Sequence, residues 1–585
     1  MNFLNSTGFV VITFLLFTGL VALISWWKTR GDNLKSESGY YLAGHSLSAI
    51  VIAGSLVMTD LSAEQLVGNN GQSVRVGMTT FATQGLSWIG LVIAAVILLP
   101  VFLKNGMTTM PEFFEQRYNA KTRRVVSIIM LLSFILIMLP TILYAGAQVF
   151  VNIFHIDTLL HISYFSAIAI VCVAIAVVGS IYAIFGGLKA IAVSDTLNGV
   201  GMLVGGLIVP VCALLFLSSQ TGGSGTLLDG LDKFLHTDPA MMNAWSEPDA
   251  AEPWWPWPVL ITGLVVNNVY FWGANQSIIQ RALGSRSLAH AQKGMILAGL
   301  IDLFTPLFLV VPGIICTFAY PGTDWGNGDS AFPRLIASAM PTWLLGFLAA
   351  VIFGAILSSF NSVLNSASTL YALDIHRPLF NPKAPDNYIV KIGQRFGLIV
   401  AILSTAVAPF LLNMVGITTF LNAGLAIFNT PILVCLLGGI FWKKVPTNAP
   451  MLIIPIHIVL YVLLNNVLRN LIPALQNVHY LYYTFLLFIV DMAVMYIITK
   501  VHPRETDYIP KTDGAGSLDM TPWKYRKHMI AAIILLTVAF YTVFSPLCLG
   551  KSDKTTWERY QESQQTESEA AAFPRSMNDT TGKAV

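Results

Sequence analysis

The sequence predicts an all-α integral membrane protein with about fourteen transmembrane helices, and three observations predict it. The 585 residues are 55% hydrophobic and 11% charged, against about 25% charged in a soluble domain. Mean hydropathy is +0.68. Apolar runs close to the ~20 residues that a spanning helix needs recur along most of the chain, separated by loops of alternating charge.

The runs fall near residues 6–27, 46–66, 77–103, 123–153, 162–183, 190–218, 256–274, 291–320, 341–375, 388–413, 418–441, 447–468, 478–499 and 527–549. One set of loops carries Lys28, Arg30 and Lys35; Lys104, Arg117, Lys121, Arg123 and Arg124; Arg281, Arg286 and Lys293; Lys383 and Lys391; Lys443 and Lys444; and Arg504, Lys511, Lys524 and Arg526. The other set is poor in Lys and Arg, and its longest member, 219–255, is acidic. The positive-inside rule makes the first set cytoplasmic and puts both termini outside a plasma (inner) membrane that the chain crosses many times. The tryptophans of "PWWPWP" (Pro253 to Pro258) read as an interfacial belt at the mouth of the seventh helix. The tail from Lys551 is polar and predicted to be disordered.

The composition also excludes classes. A net charge of +3 and the absence of basic tracts argue against nucleic acid. Cys172, Cys212, Cys316, Cys435 and Cys548 are scattered singly, as buried thiols are, and not as a metal site or disulfide framework. The first positive charge, Lys28, follows the first apolar run, so no cleavable signal is expected. No phosphate-binding loop, nucleophile elbow, H-E-x-x-H or Cys-x-x-Cys occurs, and no enzyme is predicted. The expected partners are a small-molecule solute and the lipid bilayer, with no obligate protein partner.

Chemistry is left to three polar clusters inside apolar runs, where charge is costly and usually used. In "SLVMTDLSAEQLVG" (Ser55 to Gly68) Asp60, Glu64 and Gln65 sit where a broken helix could free carbonyls for a cation and side chains for a solute. Glu64 alone reads equally well as a structural helix end. In "VVNNVYFWGANQSIIQR" (Val265 to Arg281) Asn267, Asn268, Tyr270, Trp272, Asn275 and Gln276 combine amides with aromatic faces, as a polyol site needs. Interhelical hydrogen bonding is the competing account. In "AILSSFNSVLNSAST" (Ala355 to Thr369) the adjacent hydroxyls of Ser358 and Ser359, with nearby carbonyls, offer hard oxygen ligands to an alkali cation.

These residues, with "YYLAGHSL" (40–47), "SAEQLVG" (62–68), "PEFFEQRYN" (111–119), "YAIFGGLKA" (182–190), "NQSIIQRAL" (275–283), "SSFNSVLNSASTLYALDI" (358–375) and "GGIFWKK" (438–444), resemble the sodium/solute symporter family, closest to its bacterial sodium/galactose branch. The resemblance implies the LeuT fold with two inverted five-helix repeats, here 46–218 and 256–441. A first helix and cytoplasmic loop (1–45), an outer loop (219–255), peripheral helices (442–550) and the tail (551–585) would flank them. It implies Na+-driven import of a sugar or polyol by alternating access. The family's sodium site falls on the carbonyls of Met58, Leu61 and Ala355 and the hydroxyls of Ser358 and Ser359, with Asp195 matching a position used for a second sodium or for ion release. Sugar contacts carry over to Gln65, Ser87, Asn268 and Asn422, which replaces a glutamine.

Departures from the galactose branch cluster at the solute. Asp60 replaces an asparagine, Gln84 a glutamate, Asp302 a lysine beside the sugar, and Phe271, next to Tyr270, the tyrosine that stacks on it. The pocket moves by about two charge units toward negative if both aspartates are ionised, which disfavours acidic sugars. Neutral sugars or polyols fit, and an amino sugar carrying an ammonium is the alternative. A proton-coupled carrier relayed by Asp60, Asp195 and Asp302 is the rival in mechanism.

Overall fold

The computed structural model describes residues 7–326, 328–413, 417–510, 516 and 518–572, without the side chains of 185, 413, 417–419, 422, 423, 466 and 566–572. Among the described residues the chain is helical, with isolated bridges such as Leu47 to Ser285 in place of any sheet. Among the described residues, eleven helices are long and apolar enough to cross a membrane, or twelve if the bent pair Leu288–Asp302 and Pro306–Ala319 is one span. The expected count of about fourteen is therefore not established, because two expected segments are interrupted. Segment 46–66 becomes the 12-residue helix Ala49–Asp60, and segment 256–274 centres on the 11-residue helix Gly263–Gly273. Each falls short of the ~20 residues of a full span.

Both interruptions have local chemical causes. Leu61 (φ −74°, ψ 69°) and Ser62 (φ −100°, ψ 179°) leave helical space before the helix Ala63–Val76 begins. The Ser62 N–H turns to the Asp60 carbonyl at 2.8 Å, so the Met58 carbonyl loses its usual donor four residues on. In the second break Asn275 (φ −71°, ψ 121°) restarts the chain as the helix Gln276–Leu283. Its Oδ1 accepts from the Ser277 N–H at 3.0 Å and the Ser277 hydroxyl at 2.9 Å, a side-chain N-cap. Unwound backbone at membrane depth is tolerated only inside protein or beside a cavity, and Leu61, Ser62 and Ala274 are all fully buried.

The bundle is layered around the helix Thr342–Thr369, whose most apolar window is 83% buried, against 17% for the first helix and for Arg526–Val543. The latter two are thus peripheral, and Leu16 and Leu20 of the first helix point outward, as lipid contact requires. The central helix packs on Tyr164–Gln220, a run that breaks at Gly187 (φ 62°, ψ −179°) into two spans. A side chain is strained at that φ, and a Cβ there would come within 3.1 Å of the Tyr40 carbonyl. Gly90 permits a second close approach: a Cβ would stand 2.3 Å from the Asn268 carbonyl, so only glycine lets Ser87–Ile93 press against Gly263–Gly273.

Three sequence readings are corrected here. The tail expected to be disordered from Lys551 carries the helix Thr556–Ala572, whose Trp557 is buried. Arg117, expected in a cytoplasmic loop, is fully buried. Its guanidinium donates to the carbonyls of Gly439 and Trp442 at 2.8 Å and Val445 at 3.3 Å, closing the end of the helix Ile417–Phe441. The tryptophans of "PWWPWP" do not form a belt. Trp254 is buried against Trp557 and Trp255 is buried beside His479, while Trp257 alone of the three is exposed.

Candidate functional site

The break at Leu61–Ser62 opens onto a central cavity of about 80 Å³, room for roughly six waters or one small polar solute. One wall comes from the broken segment itself, through Asp60, Glu64, Gln65 and Asn69. The facing wall comes from Thr83, Gln84 and Ser87 and, across the Gly90 contact, from Asn267, Asn268, Phe271 and Trp272. Trp255 and Tyr480 close a third side with Leu421, Leu425 and Asn429. Among the described residues the lining contains acids, amides, hydroxyls and aromatic rings, and no Lys, Arg or His.

Within this wall Asn268 donates its amide to the Leu86 carbonyl at 3.2 Å, which orients its carbonyl oxygen. Asn69 donates to Gln65 Oε1 at 2.8 Å. Gln84 faces Asp60. Asp302, at the end of Leu288–Asp302, is fully buried behind the lining and accepts from the Ser87 hydroxyl at 2.9 Å. It thus acts on the cavity through Ser87. Outside the membrane segments, Glu252 accepts from the Tyr480 N–H at 3.2 Å and so fixes the start of Tyr480–Val501 beside the cavity. Burial pushes its carboxyl above the usual range, opposed by Arg469.

A second polar cluster lies one turn deeper, where Ala49–Asp60 meets Thr342–Thr369. Ala355, Ser358, Ser359 and Ser362 share one face of that helix by their spacing. Ser359 donates to the Thr59 carbonyl at 2.8 Å, which ties the face to the end of the broken helix. Ser362 donates to the Ser358 carbonyl at 2.5 Å and lies 3.2 Å from the Thr59 hydroxyl. The Ser358 hydroxyl sits beside Asp195, outside hydrogen-bonding geometry, and is buried with no partner. Asp195 accepts from Ser55 at 2.6 Å.

Arg281 completes this cluster and overturns its assignment to a cytoplasmic loop. It is 1% exposed, because the break at Ala274–Asn275 carries Gln276–Leu283 back into the bundle. Its guanidinium donates to Ser55 at 2.7 Å, to the Ser277 carbonyl and to Ser362, and stands 3.7 Å from Asp195. Removing Arg281 from the loop set leaves Arg286 and Lys293 there, so the charge alternation keeps its sign.

Of the residues singled out in the sequence, Asp60, Gln65, Gln84, Ser87, Asn268, Phe271 and Trp272 line the cavity. Tyr270 is buried and absent from the lining, and the side chain of Asn422 lies outside the described residues. Asn275 and Gln276 are not solute groups: the first caps a helix, and the second accepts from the Met110 N–H at 2.7 Å. Met58, Leu61, Ala355, Ser358 and Ser359 are all buried where the two helices meet. Glu64, Asn69, Thr83, Trp255, Asn429 and Tyr480 enter as wall residues that the sequence reading did not assign to the solute. The i, i+4 spacing of Gln65 and Asn69 within Ala63–Val76 was the available signal for one of them.

Two broken helices meeting at a polar cavity inside an apolar bundle define a secondary transporter. Residues 40–452 match the sodium:solute symporter family. The chain is 36% identical over 534 residues to the uncharacterized symporter YidK of Escherichia coli (strain K12), covering 91% of this chain and 90% of the relative. It is 27% identical over 563 residues to the sodium/glucose cotransporter of Vibrio parahaemolyticus, covering 91% and 98%. A substrate-bound, outward-open Na+-coupled sialic acid symporter superposes with a TM-score of 0.71 at 18% identity, over 86% of this chain and 99% of that one. The nucleobase-cation-symport-1 transporter Mhp1 superposes at 0.51 and 11%, over 83% and 99%. The architecture is the LeuT fold, and the chain belongs to the sodium:solute symporter family. It is a multi-pass membrane transporter and not an enzyme.

Proposed function

We propose that this protein is a Na+-coupled symporter that imports a sugar or sugar-like polyol by alternating access. One observation carries the reading. Thr59 and Asp60 are consecutive residues at the end of a broken helix: the carbonyl of the first is bonded to Ser359, and the carboxylate of the second lines the cavity. An ion held by Ser358, Ser359 and the carbonyls of Met58, Leu61 and Ala355 would set the backbone that shapes the solute wall. A solute in that wall would in turn set the ion's ligands, which is reciprocal linkage. The orphaned Ser358 hydroxyl and the Met58 carbonyl, whose usual donor Ser62 N–H turns to Asp60, suit a hard cation that takes oxygen ligands. Asp195, buried beside Ser358, fits a second ion or an exit step.

The amides of Gln65, Gln84, Asn267 and Asn268, the hydroxyl of Ser87 and the rings of Phe271 and Trp272 suit a ring bearing several hydroxyls. The sodium/glucose cotransporter among the relatives supports that class. Both termini are read as facing outside, from the loop charges. Uptake of labelled hexoses and inositols into proteoliposomes, under imposed Na+ or proton gradients, tests the reading. Accumulation driven by Na+ alone supports it, and uptake that follows the proton gradient and ignores Na+ overturns it.

A further inference from the structure

We infer that the solute of this cavity carries an ammonium group, as a free amino sugar does, held on the wall built by Asp60, Glu64 and Asn69. This rests on the symport reading above and narrows its solute. The cavity wall has five polar atoms that are buried and without a partner. Three of them, Asp60 Oδ2, Glu64 Oε2 and Asn69 Oδ1, are acceptors when the two carboxyls are ionised, and all belong to the broken segment. The other two, Trp255 Nε1 and the Tyr480 hydroxyl, can donate and lie together on the third side. Asp302 Oδ1, behind Ser87, is a further buried acceptor without a partner.

The cavity therefore asks for a molecule rich in donors at one end and able to accept at the other. An ammonium brings three N–H donors and no acceptor, which matches the first wall. The hydroxyls and ring oxygen of a sugar match Trp255 and Tyr480. Charge points the same way. Carboxyl groups stand at Asp60, Glu64 and, one residue removed, Asp302, while among the described residues no cationic side chain lines the cavity. The deeper cluster shows the contrast, for there Asp195 has Arg281 at 3.7 Å. Buried charge without a partner is costly, and a bound cation removes that cost. Asn69 adds independent weight, since it lines the cavity, is 1% exposed, and its carbonyl oxygen is buried without a partner while its amide is committed to Gln65.

The test is a binding and uptake panel on the purified full-length protein in Na+ buffer. It uses glucosamine, galactosamine and mannosamine, their neutral parent hexoses, and their N-acetyl forms, which keep the bulk but lose the charge. At least one amine should compete at concentrations tenfold or more below its parent hexose, and N-acetylation should erase that advantage. Glu64→Gln should reduce the ratio of amine to parent affinity at least threefold, whatever it does to either affinity alone. Neutral hexoses binding as well as or better than every amine would overturn the inference while leaving Na+-coupled sugar transport intact. Binding of no sugar at all, neutral or charged, would overturn the sugar reading and this inference together. An amine advantage that is missing, with a steep Na+ dependence that Glu64→Gln makes shallow, would assign the carboxylates to a second metal cation and not to the solute.

Discussion

Two polar clusters lie side by side at the broken helix, and they treat charge in opposite ways. In the deeper one Asp195 is matched by Arg281, and Ser55, the Ser277 carbonyl and Ser362 each accept from the guanidinium. In the cavity Asp60 and Glu64 have amides and hydroxyls for neighbours but no cation. The first arrangement gives its acid a cation from within the chain and ties four helices together, Ala49–Asp60, Tyr164–Gln220, Gln276–Leu283 and Thr342–Thr369, while Asp195 Oδ1 and the Ser358 hydroxyl stay without partners. The second is incomplete and needs something to arrive. Buried charge that the chain compensates is framework, and buried charge that it leaves open marks where a solute goes.

The sharpest way to break the comparison is to remove the compensating cation. Arg281→Gln should destabilise the protein by about 3–5 kcal/mol, because it strands Asp195 in the core. A thermal-unfolding midpoint in detergent will show the loss, and adding Asp195→Asn should restore much of it. If Arg281→Gln unfolds like the parent, the pair is not framework.

In the cavity, truncation should cost affinity and leave the fold standing. Asn268→Ala removes an oriented amide from the wall, and solute binding should weaken by about 1–3 kcal/mol, or roughly 5- to 150-fold. Isothermal titration of solute, with a matched melting curve, separates this from unfolding. Unchanged affinity would move the solute elsewhere.

Ser359→Ala tests the link between the two clusters, since its hydroxyl holds the Thr59 carbonyl at 2.8 Å. Its loss should cost about 0.5–1.5 kcal/mol, so the Na+ concentration for half-maximal uptake should rise by up to about tenfold. Solute affinity should fall in step, as linkage requires. A shift in one without the other would separate ion from solute.

The smallest effect belongs to Asp302→Asn. The Ser87 hydroxyl can still donate to the amide oxygen, so affinity for a neutral sugar should change by less than about threefold. A collapse of neutral-sugar binding would mean that Asp302 meets the solute directly.

Much of this was legible before any fold was known. The break after Asp60, the serine face of 355–362 and the amides at 267 and 268 were readable because helix period and polar residues inside apolar runs are local signals. The count of spans was less so, since a broken span of 12 residues does not look like a span by length. Arg281 was misread for a related reason: a charge at the end of an apolar run resembles a loop charge until a second break turns it inward.

By itself the sequence determined the membrane class, the apolar helices, the place of the first break and the oxygen-rich chemistry around it. All of these follow from hydropathy, helix period and backbone preference summed over neighbours along the chain. Only the tertiary structure decided that Asp195 meets Arg281, that Asp302 stands behind Ser87, and that Trp255 and Tyr480 line the same cavity as Asp60 and Glu64. Compensation of a buried charge depends on distance through space, between helices far apart in the chain. No local pattern records which of two identical carboxylates will find its cation.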